Sequence, residues 1–174
     1  KLTSGSAFKP ASRETTLLIN NVLLVTALAV VFIGTIYPIV LAAMGMRISV
    51  GAPYYELFFA PLFLALMIVL PFGPRLNWRR GDLKESLRIL FPAIGAAVVA
   101  AIAVLALVSP RTVAGAGAFA VAAWVIGASI IDATRILRSR AISAAAFAAA
   151  LAHAGLGVTL MGIAGTTLGR SEAL

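Results

Sequence analysis

Long apolar stretches alternate with short charged clusters along the whole chain. Five stretches contain no Lys, Arg, Asp or Glu: residues 15–46, 57–74, 89–110, 112–131 and 141–169. A helix rises about 1.5 Å per residue and must cross roughly 30 Å of hydrocarbon, so each stretch can hold one spanning helix, the second only just. The pattern predicts helices at approximately residues 16–41, 57–72, 89–108, 113–131 and 141–165.

This pattern predicts an all-α protein, a polytopic membrane helical bundle with about five transmembrane helices. We expect one transmembrane domain over residues 1–174. Ser12 or Thr15 is suited to cap the first helix. Gly51 and Pro53 predict a loop over residues 45–56, with Tyr54 and Tyr55 at the level of the lipid headgroups. A short turn at residues 109–112 predicts that the third and fourth helices form an antiparallel hairpin.

Composition supports the membrane class. Hydrophobic residues make up 61% of the chain and charged residues 11%, and the mean hydropathy is +1.05. These values lie far outside the usage of soluble globular proteins. There is no cysteine, which excludes disulfides, thiolate metal sites and thiol catalysis. The net charge of +8 is spread over clusters that flank apolar stretches, as expected for lipid headgroups rather than nucleic acid.

The distribution of basic residues predicts an orientation. If the first helix crosses outward, the N-terminal segment, the loop around Trp78 and the loop around Arg135 lie on one side. Those segments hold eleven of the 14 Lys and Arg residues; the other side holds Arg47, Arg111 and Arg170. Because basic loops stay in the cytoplasm, we expect a cytoplasmic N-terminus and a C-terminus on the outer side.

The only histidine, His153, lies halfway along the fifth apolar stretch. An imidazole near the middle of a membrane loses its water and needs a partner. Three roles fit such a residue: a histidine hydrogen-bonded to a neighbouring helix, a metal or haem ligand, or a proton relay.

Small residues surround this histidine. Reading every fourth position gives Ala141, Ala145, Ala149, His153 and Gly157, a ridge on one side of a helix. One interpretation is close helix packing, because small residues let two backbones approach. The other is that a large flat ligand lies against the ridge, with His153 as its axial donor.

Three stretches, taken in order, resemble one protein family. They are residues 12–24 (SRETTLLINNVLL), Gly34-Thr-Ile-Tyr-Pro38 and residues 48–55 (ISVGAPYY). Gly73-Pro74 with Trp78-Arg79, and Ala152-His-Ala-Gly155, continue the match. The combination is similar to the CcmF/NrfE family of cytochrome c haem lyases, members of the haem-handling protein superfamily, and covers the later part of a typical family member.

This resemblance implies an enzyme of the bacterial cytoplasmic (inner) membrane that attaches haem covalently to the Cys-x-x-Cys-His motifs of apocytochrome c. Such proteins receive haem from a CcmE-type haem chaperone and work with CcmH/CcmI-type apocytochrome-handling subunits. They also hold a haem b within the membrane between two helix-borne histidines. His153 corresponds to the second of these, which makes it the candidate cofactor-binding residue and ligand of the haem iron. The resemblance assigns no catalytic residue in this chain.

Several family features lie outside this sequence: the tryptophan-rich motif, the other intramembrane histidine and two periplasmic histidines upstream, and a periplasmic domain and last helix downstream. We therefore expect the chain to be part of a larger protein or of a split-gene complex with the remaining part of the haem lyase, and inactive alone. Two alternative functions are a segment of a proton-coupled membrane transporter, with His153 carrying protons, and a non-catalytic scaffold of the maturation complex that binds through the loop around Tyr54.

Overall fold

A computed structural model describes residues 12–76, 82–108, 113–139 and 143–171. Five α-helices are described: α1 (Arg13–Ala43), α2 (Ala52–Val69), α3 (Leu83–Leu107), α4 (Val113–Arg138) and α5 (Ala144–Ser171). A single 3-10 turn, Leu70–Phe72, follows α2. All five helices are long and apolar enough to cross a membrane, and no strand occurs in the described ranges. The predicted fold class is therefore confirmed.

Three sequence features fall outside the described residues: the Trp78-Arg79 pair, the turn predicted at residues 109–112, and Arg140. Arg170 lies in α5, but its side chain is not among those described. The chain divides into two compact units, Lys1–Asp82 and Leu83–Leu174. Each unit is described by itself below.

In the first unit, α1 begins with the predicted cap. The Ser12 hydroxyl accepts a hydrogen bond from the Thr15 N–H at 3.3 Å, and Thr16 donates both its N–H and its hydroxyl to the Ser12 carbonyl. Ser12 is fully buried. These bonds satisfy amide groups that the first turn of a helix leaves unpaired. The helix that follows is 31 residues long, about 46 Å at 1.5 Å per residue.

The end of α1 is a glycine cap. Gly45 has φ 79°, a left-handed conformation that favours glycine. The Met46 N–H reaches back to the Leu41 carbonyl at 2.9 Å, and the Gly45 N–H reaches the Ala42 carbonyl at 3.1 Å. This pair of bonds is a Schellman motif and closes the helix.

Helix α2 begins at Ala52, not at residue 57 as predicted, so Tyr54 and Tyr55 lie in its first turn and not in a loop. The physical reason is Pro53 at the start of the helix. Its fixed φ suits the first turn, where its missing N–H costs nothing. The prediction took this proline as a breaker, whereas here it initiates the helix. The connection after α1 is correspondingly shorter, residues 44–51.

Helices α1 and α2 meet through a notch at Gly34. A Cβ placed on Gly34 would lie 2.6 Å from Tyr54 Cε1 and 3.0 Å from the Tyr55 hydroxyl. Tyr54 also donates a hydrogen bond to the Val30 carbonyl of α1 at 2.9 Å, and its ring contacts Phe58 with centroids 5.1 Å apart. The glycine therefore accommodates an aromatic ring of the neighbouring helix.

In the second unit, α3 and α4 run antiparallel, as predicted. Val104 packs on Ala116 near one end. At the other end, a Cβ on Gly127 would lie 3.2 Å from the Cα of Ala93. Helix α3 begins at Leu83, six residues before its predicted start. Lys84 and Arg88, which were predicted to lie in a loop, are in its first turns. Charged side chains at the end of a spanning helix can extend to the headgroups while the backbone stays helical.

Helix α4 also runs antiparallel to α5. Gly157 contacts Ala122 and Ile126, and Gly165, two turns further along α5, approaches Phe119. Helix α4 continues through Arg138, seven residues past its predicted end, so Arg135 is helical too. Trp124 of α4 is buried.

Candidate functional site

His153 lies in the middle of α5. The apolar span of this helix is Ala144–Thr166, and His153 is its tenth residue. The first helical residue is therefore roughly 14 Å away along the axis, at 1.5 Å per residue. The helix starts with Ser143, whose hydroxyl accepts a hydrogen bond from the Ala146 N–H at 3.3 Å, an N-cap arrangement. The predicted mid-span position of the histidine agrees with this placement.

The face of α5 that packs on α4 consists of small residues seven positions apart. Ala150, Gly157 and Ala164 are buried, and His153 and Ala154 beside them are partly buried. A spacing of seven returns to nearly the same face of a helix, as in left-handed helix pairs. Small residues at these positions allow the helices to lie close together.

The predicted ridge is therefore only partly correct. Gly157 is in the contact with α4, but Ala145 and Ala149 are exposed. The prediction stepped by four, and this step moves around the helix by about 40° at each position because a turn holds 3.6 residues. Ala141 lies outside the described residues. His153 therefore lies at the edge of the contact between α5 and α4, between the packed face of α5 and its exposed face.

Helices α4 and α5 approach closely at Gly157, one turn after His153. A Cβ on Gly157 would lie 2.6 Å from Ile126 Cγ1, 3.2 Å from the Ala122 carbonyl oxygen and 3.3 Å from the Ile126 nitrogen. Two of these three atoms belong to the backbone of α4. Any larger residue would therefore have to push one helix away from the other.

The imidazole of His153 is half-buried, and within the described part of the chain no hydrogen bond engages it. The carboxylate of Asp132 on α4 interacts with it electrostatically. No group of three or more His, Cys, Asp or Glu side chains comes together among the described residues. The imidazole is therefore a single nitrogen donor here and not one member of a cluster of protein ligands.

The surface next to the imidazole is open and apolar. Side chains of a helix lean toward its N-terminus, so the imidazole extends over the preceding turn. On the side of α5 that carries His153, the exposed residues of that turn and the one before are Ala145, Ala146 and Ala149. Methyl groups are the smallest side chains that still present an apolar surface. This arrangement fits a flat apolar group held by one imidazole, as the axial ligation of haem requires.

Two other polar side chains of α4 and α5 are bonded within their own helices. The Thr159 hydroxyl donates to the Gly155 carbonyl at 2.9 Å, and the buried Ser129 hydroxyl of α4 donates to the Val125 carbonyl at 2.7 Å. Bonds of this kind satisfy a hydroxyl within an apolar environment. These two groups therefore give His153 no continuous polar path.

Two features of this site were missed at the level of sequence. The first is the contact face of Ala150, Gly157 and Ala164, although its seven-residue spacing is visible in the sequence. The second is the electrostatic influence of Asp132 on His153. Only the antiparallel pairing of α4 with α5 brings this carboxylate toward the imidazole.

Comparison with known proteins gives one consistent group of relatives. The chain is 48% identical over 101 residues to the cytochrome c-type biogenesis protein CycK of Rhizobium meliloti. It is 41% identical over 105 residues to the cytochrome c-type biogenesis protein CcmF of Pseudomonas fluorescens. These matches cover 58% of this chain in both cases. The chain resembles one segment of the CcmF/NrfE family.

The resemblance seen in the sequence motifs is therefore confirmed. This CcmF/NrfE-like chain is also 34% identical over 87 residues to the cytochrome c-type biogenesis protein NrfE of Haemophilus influenzae, across 49% of the chain. It spans only 15% of the length of CycK, 16% of CcmF and 13% of NrfE. No family model matches the chain. No solved structure matches it either.

Proposed function

We propose that this chain is part of a cytochrome c haem lyase, in which His153 supplies one axial ligand of a haem b inside the membrane. The observation that carries the proposal is a single imidazole at mid-span, beside an open alanine surface, with no hydrogen bond to the described protein. The names of the relatives, all cytochrome c-type biogenesis proteins, support it.

The physical chemistry of the site supports a ligand more than a buried structural histidine. A structural histidine in an apolar environment needs a hydrogen-bond partner, because an unsatisfied polar group costs about 1–3 kcal/mol. Coordination to iron gives one nitrogen a partner directly. The carboxylate of Asp132 on α4 acts on the imidazole through its charge alone.

The bound haem would supply one-electron redox chemistry. The residues of this chain that would hold it are His153 as the donor, and Ala145 and Ala149 as the apolar surface beside it. Helix α4 lies on the other side, where Ala122 and Ile126 contact Gly157. Since this segment offers one histidine, the opposite ligand comes from the remaining part of the lyase.

We further propose that the protein lies in the bacterial cytoplasmic membrane, with the N-terminus of α1 in the cytoplasm. The basic residues at the start of α3 and the end of α4, among them Arg88, Arg135 and Arg138, are exposed and suit that side. The partners of the complete protein are then a CcmE-type haem chaperone, CcmH/CcmI-type subunits and apocytochrome c. Their chemistry takes place on the outer side.

The two alternative functions have less support. A proton-coupled transporter needs a polar path to His153, yet Ser143 and Thr159 are used within α5. A scaffold that binds through Tyr54 needs that side chain available, yet its hydroxyl and ring are engaged with α1. We therefore favour the haem-ligand function.

The test is the substitution His153→Gly in the full-length protein that contains this segment. We expect the b-type visible spectrum of the purified protein to be lost, while the amount of protein in the membrane stays unchanged. Glycine leaves space for a free ligand, so added imidazole should restore a b-type spectrum. Pyridine haemochrome analysis then gives the haem content per protein.

The matched control is Thr159→Val, which alters a polar residue of the same helix whose hydroxyl bonds only within it. This variant should keep the spectrum of the unmodified protein. A full b-type spectrum in His153→Gly without added imidazole would exclude the ligand role. pH-dependent flux through haem-free protein in liposomes would favour the transporter instead.

A further inference from the structure

We propose that Gly157 is a positioning residue, which fixes where His153 stands relative to α4 by allowing the two helix backbones into contact one turn away. This inference rests on the proposed haem ligation by His153. It concerns what holds the imidazole in place and not the identity of the ligand.

The first step is the closeness of the contact at Gly157. A Cβ there would lie 2.6 Å from Ile126 Cγ1, 3.2 Å from the Ala122 carbonyl oxygen and 3.3 Å from the Ile126 nitrogen. Side chains can rotate away from a new methyl group, but helix backbone atoms move only with their helix. Glycine at this position therefore sets the distance between α4 and α5.

The second step links that distance to His153. Four residues along a helix correspond to about 6 Å and nearly one full turn, so Gly157 and His153 lie on neighbouring parts of the same side. Gly157 is buried on the side of α5 that faces α4, and His153 is partly buried at the flank of that side. A displacement of the helix at Gly157 therefore moves the imidazole away from α4 and away from Asp132, whose charge acts on it. Metal-ligand geometry responds to changes well below 1 Å.

The third step is that other glycines of α5 lack this property. A Cβ on Gly155 or on Gly162 would meet nothing within 4 Å, since both face open space. Gly162 is therefore a matched control on the same helix. Alanine at Gly162 adds the same methyl group and the same increase in helix propensity, without touching α4.

The experiment compares Gly157→Ala, Gly162→Ala and His153→Gly in the full-length protein, purified from membranes at equal protein amounts. Three quantities are measured: haem per protein by pyridine haemochrome, the low-spin EPR signal of the oxidised haem, and its midpoint potential. We expect Gly157→Ala to shift the EPR signal and the potential, with loss of haem, whereas Gly162→Ala matches the unmodified protein. His153→Gly should lose the b-type spectrum.

A double variant, Gly157→Ala with Ile126→Ala, separates positioning from general damage. It removes the Cγ1 atom that lies nearest to the new methyl group, so we expect the EPR signal and the potential to return part of the way. The return is incomplete because the two backbone contacts remain.

The outcomes distinguish the two proposals. If His153→Gly keeps its spectrum, the ligand proposal fails, and the positioning role fails with it. If His153→Gly loses the spectrum but the haem retained by Gly157→Ala has an unchanged EPR signal and potential, only the positioning role is overturned. Less protein in the membrane with unchanged haem properties would likewise assign Gly157 a purely structural role and overturn the proposal.

Discussion

Two glycines bring helices together in the two units, and they do so in different ways. At Gly34 the nearest atoms to an added Cβ are Tyr54 Cε1 at 2.6 Å and the Tyr55 hydroxyl at 3.0 Å. At Gly157 the nearest atom is a side-chain carbon of Ile126, also at 2.6 Å, but the next two are backbone atoms of α4. One glycine admits aromatic side chains and the other admits a helix backbone.

Whether a glycine contacts a side chain or a backbone determines whether the contact sets the distance between two helices. An aromatic ring placed against a glycine can move by rotation about its own bonds, so the helices can keep their distance when the notch is filled. A backbone against a glycine has no such freedom. The first contact therefore holds two helices side by side, whereas the second defines how far apart they are. The candidate haem ligand lies beside the second.

The largest expected effect is at Gly157. We expect Gly157→Ala to lower the free energy of unfolding by about 1–3 kcal/mol, the usual cost of overpacking a close contact. Gly34→Ala should cost less, about 1 kcal/mol, because Tyr54 can move at the expense of one hydrogen bond. Unfolding of the full-length protein by SDS in mixed micelles measures both. A larger loss for Gly34→Ala would contradict the distinction between the two contacts.

An intermediate effect is expected at Tyr54. Tyr54→Phe keeps the ring in the Gly34 notch but removes the hydroxyl that donates to the Val30 carbonyl. Hydrogen bonds between helices in membranes contribute about 0.6 kcal/mol on average, so the loss should be of that size. The same SDS titration applies. A loss as large as that of Tyr54→Ala would mean that the hydroxyl, and not the ring, holds α1 and α2 together.

The smallest effect is expected at Gly95 of α3, where a Cβ would meet nothing within 4 Å. Gly95→Ala should leave the free energy of unfolding unchanged or raise it by up to about 1 kcal/mol, since alanine is the better helix former. This variant is the baseline for the other two glycines. A clear destabilisation would indicate that this face of α3 packs against a part of the complete protein.

Much of the fold could be predicted from the spacing of charges. The five stretches without charge correspond to the five helices of the described residues. The antiparallel pairing of α3 and α4 agrees with the short connection expected between them. The errors were at helix ends. Pro53 and Lys84 suggested loops, yet they lie in the first turns of α2 and α3. Proline and charged residues are common at the ends of spanning helices, so they do not separate helix from loop there.

The candidate site was predictable in one respect and not in another. A lone histidine at the centre of an apolar stretch is visible in the sequence, and so is its family resemblance. The sequence does not show which of the neighbouring small residues pack against α4. Ala149 and Ala150 are chemically identical, yet the first is exposed and the second is buried.

The sequence by itself predicted the five apolar helices of the described residues and the position of His153 halfway along the fifth, because both depend on length and on where charge is tolerated in a bilayer. Only the tertiary structure decided which side of α5 faces α4, that Gly157 lies against the backbone of α4, and that Asp132 acts on the imidazole. The reason is that α5 is apolar on every side. Hydrophobicity then cannot orient the helix, and the fit between its small residues and the backbone of α4 does.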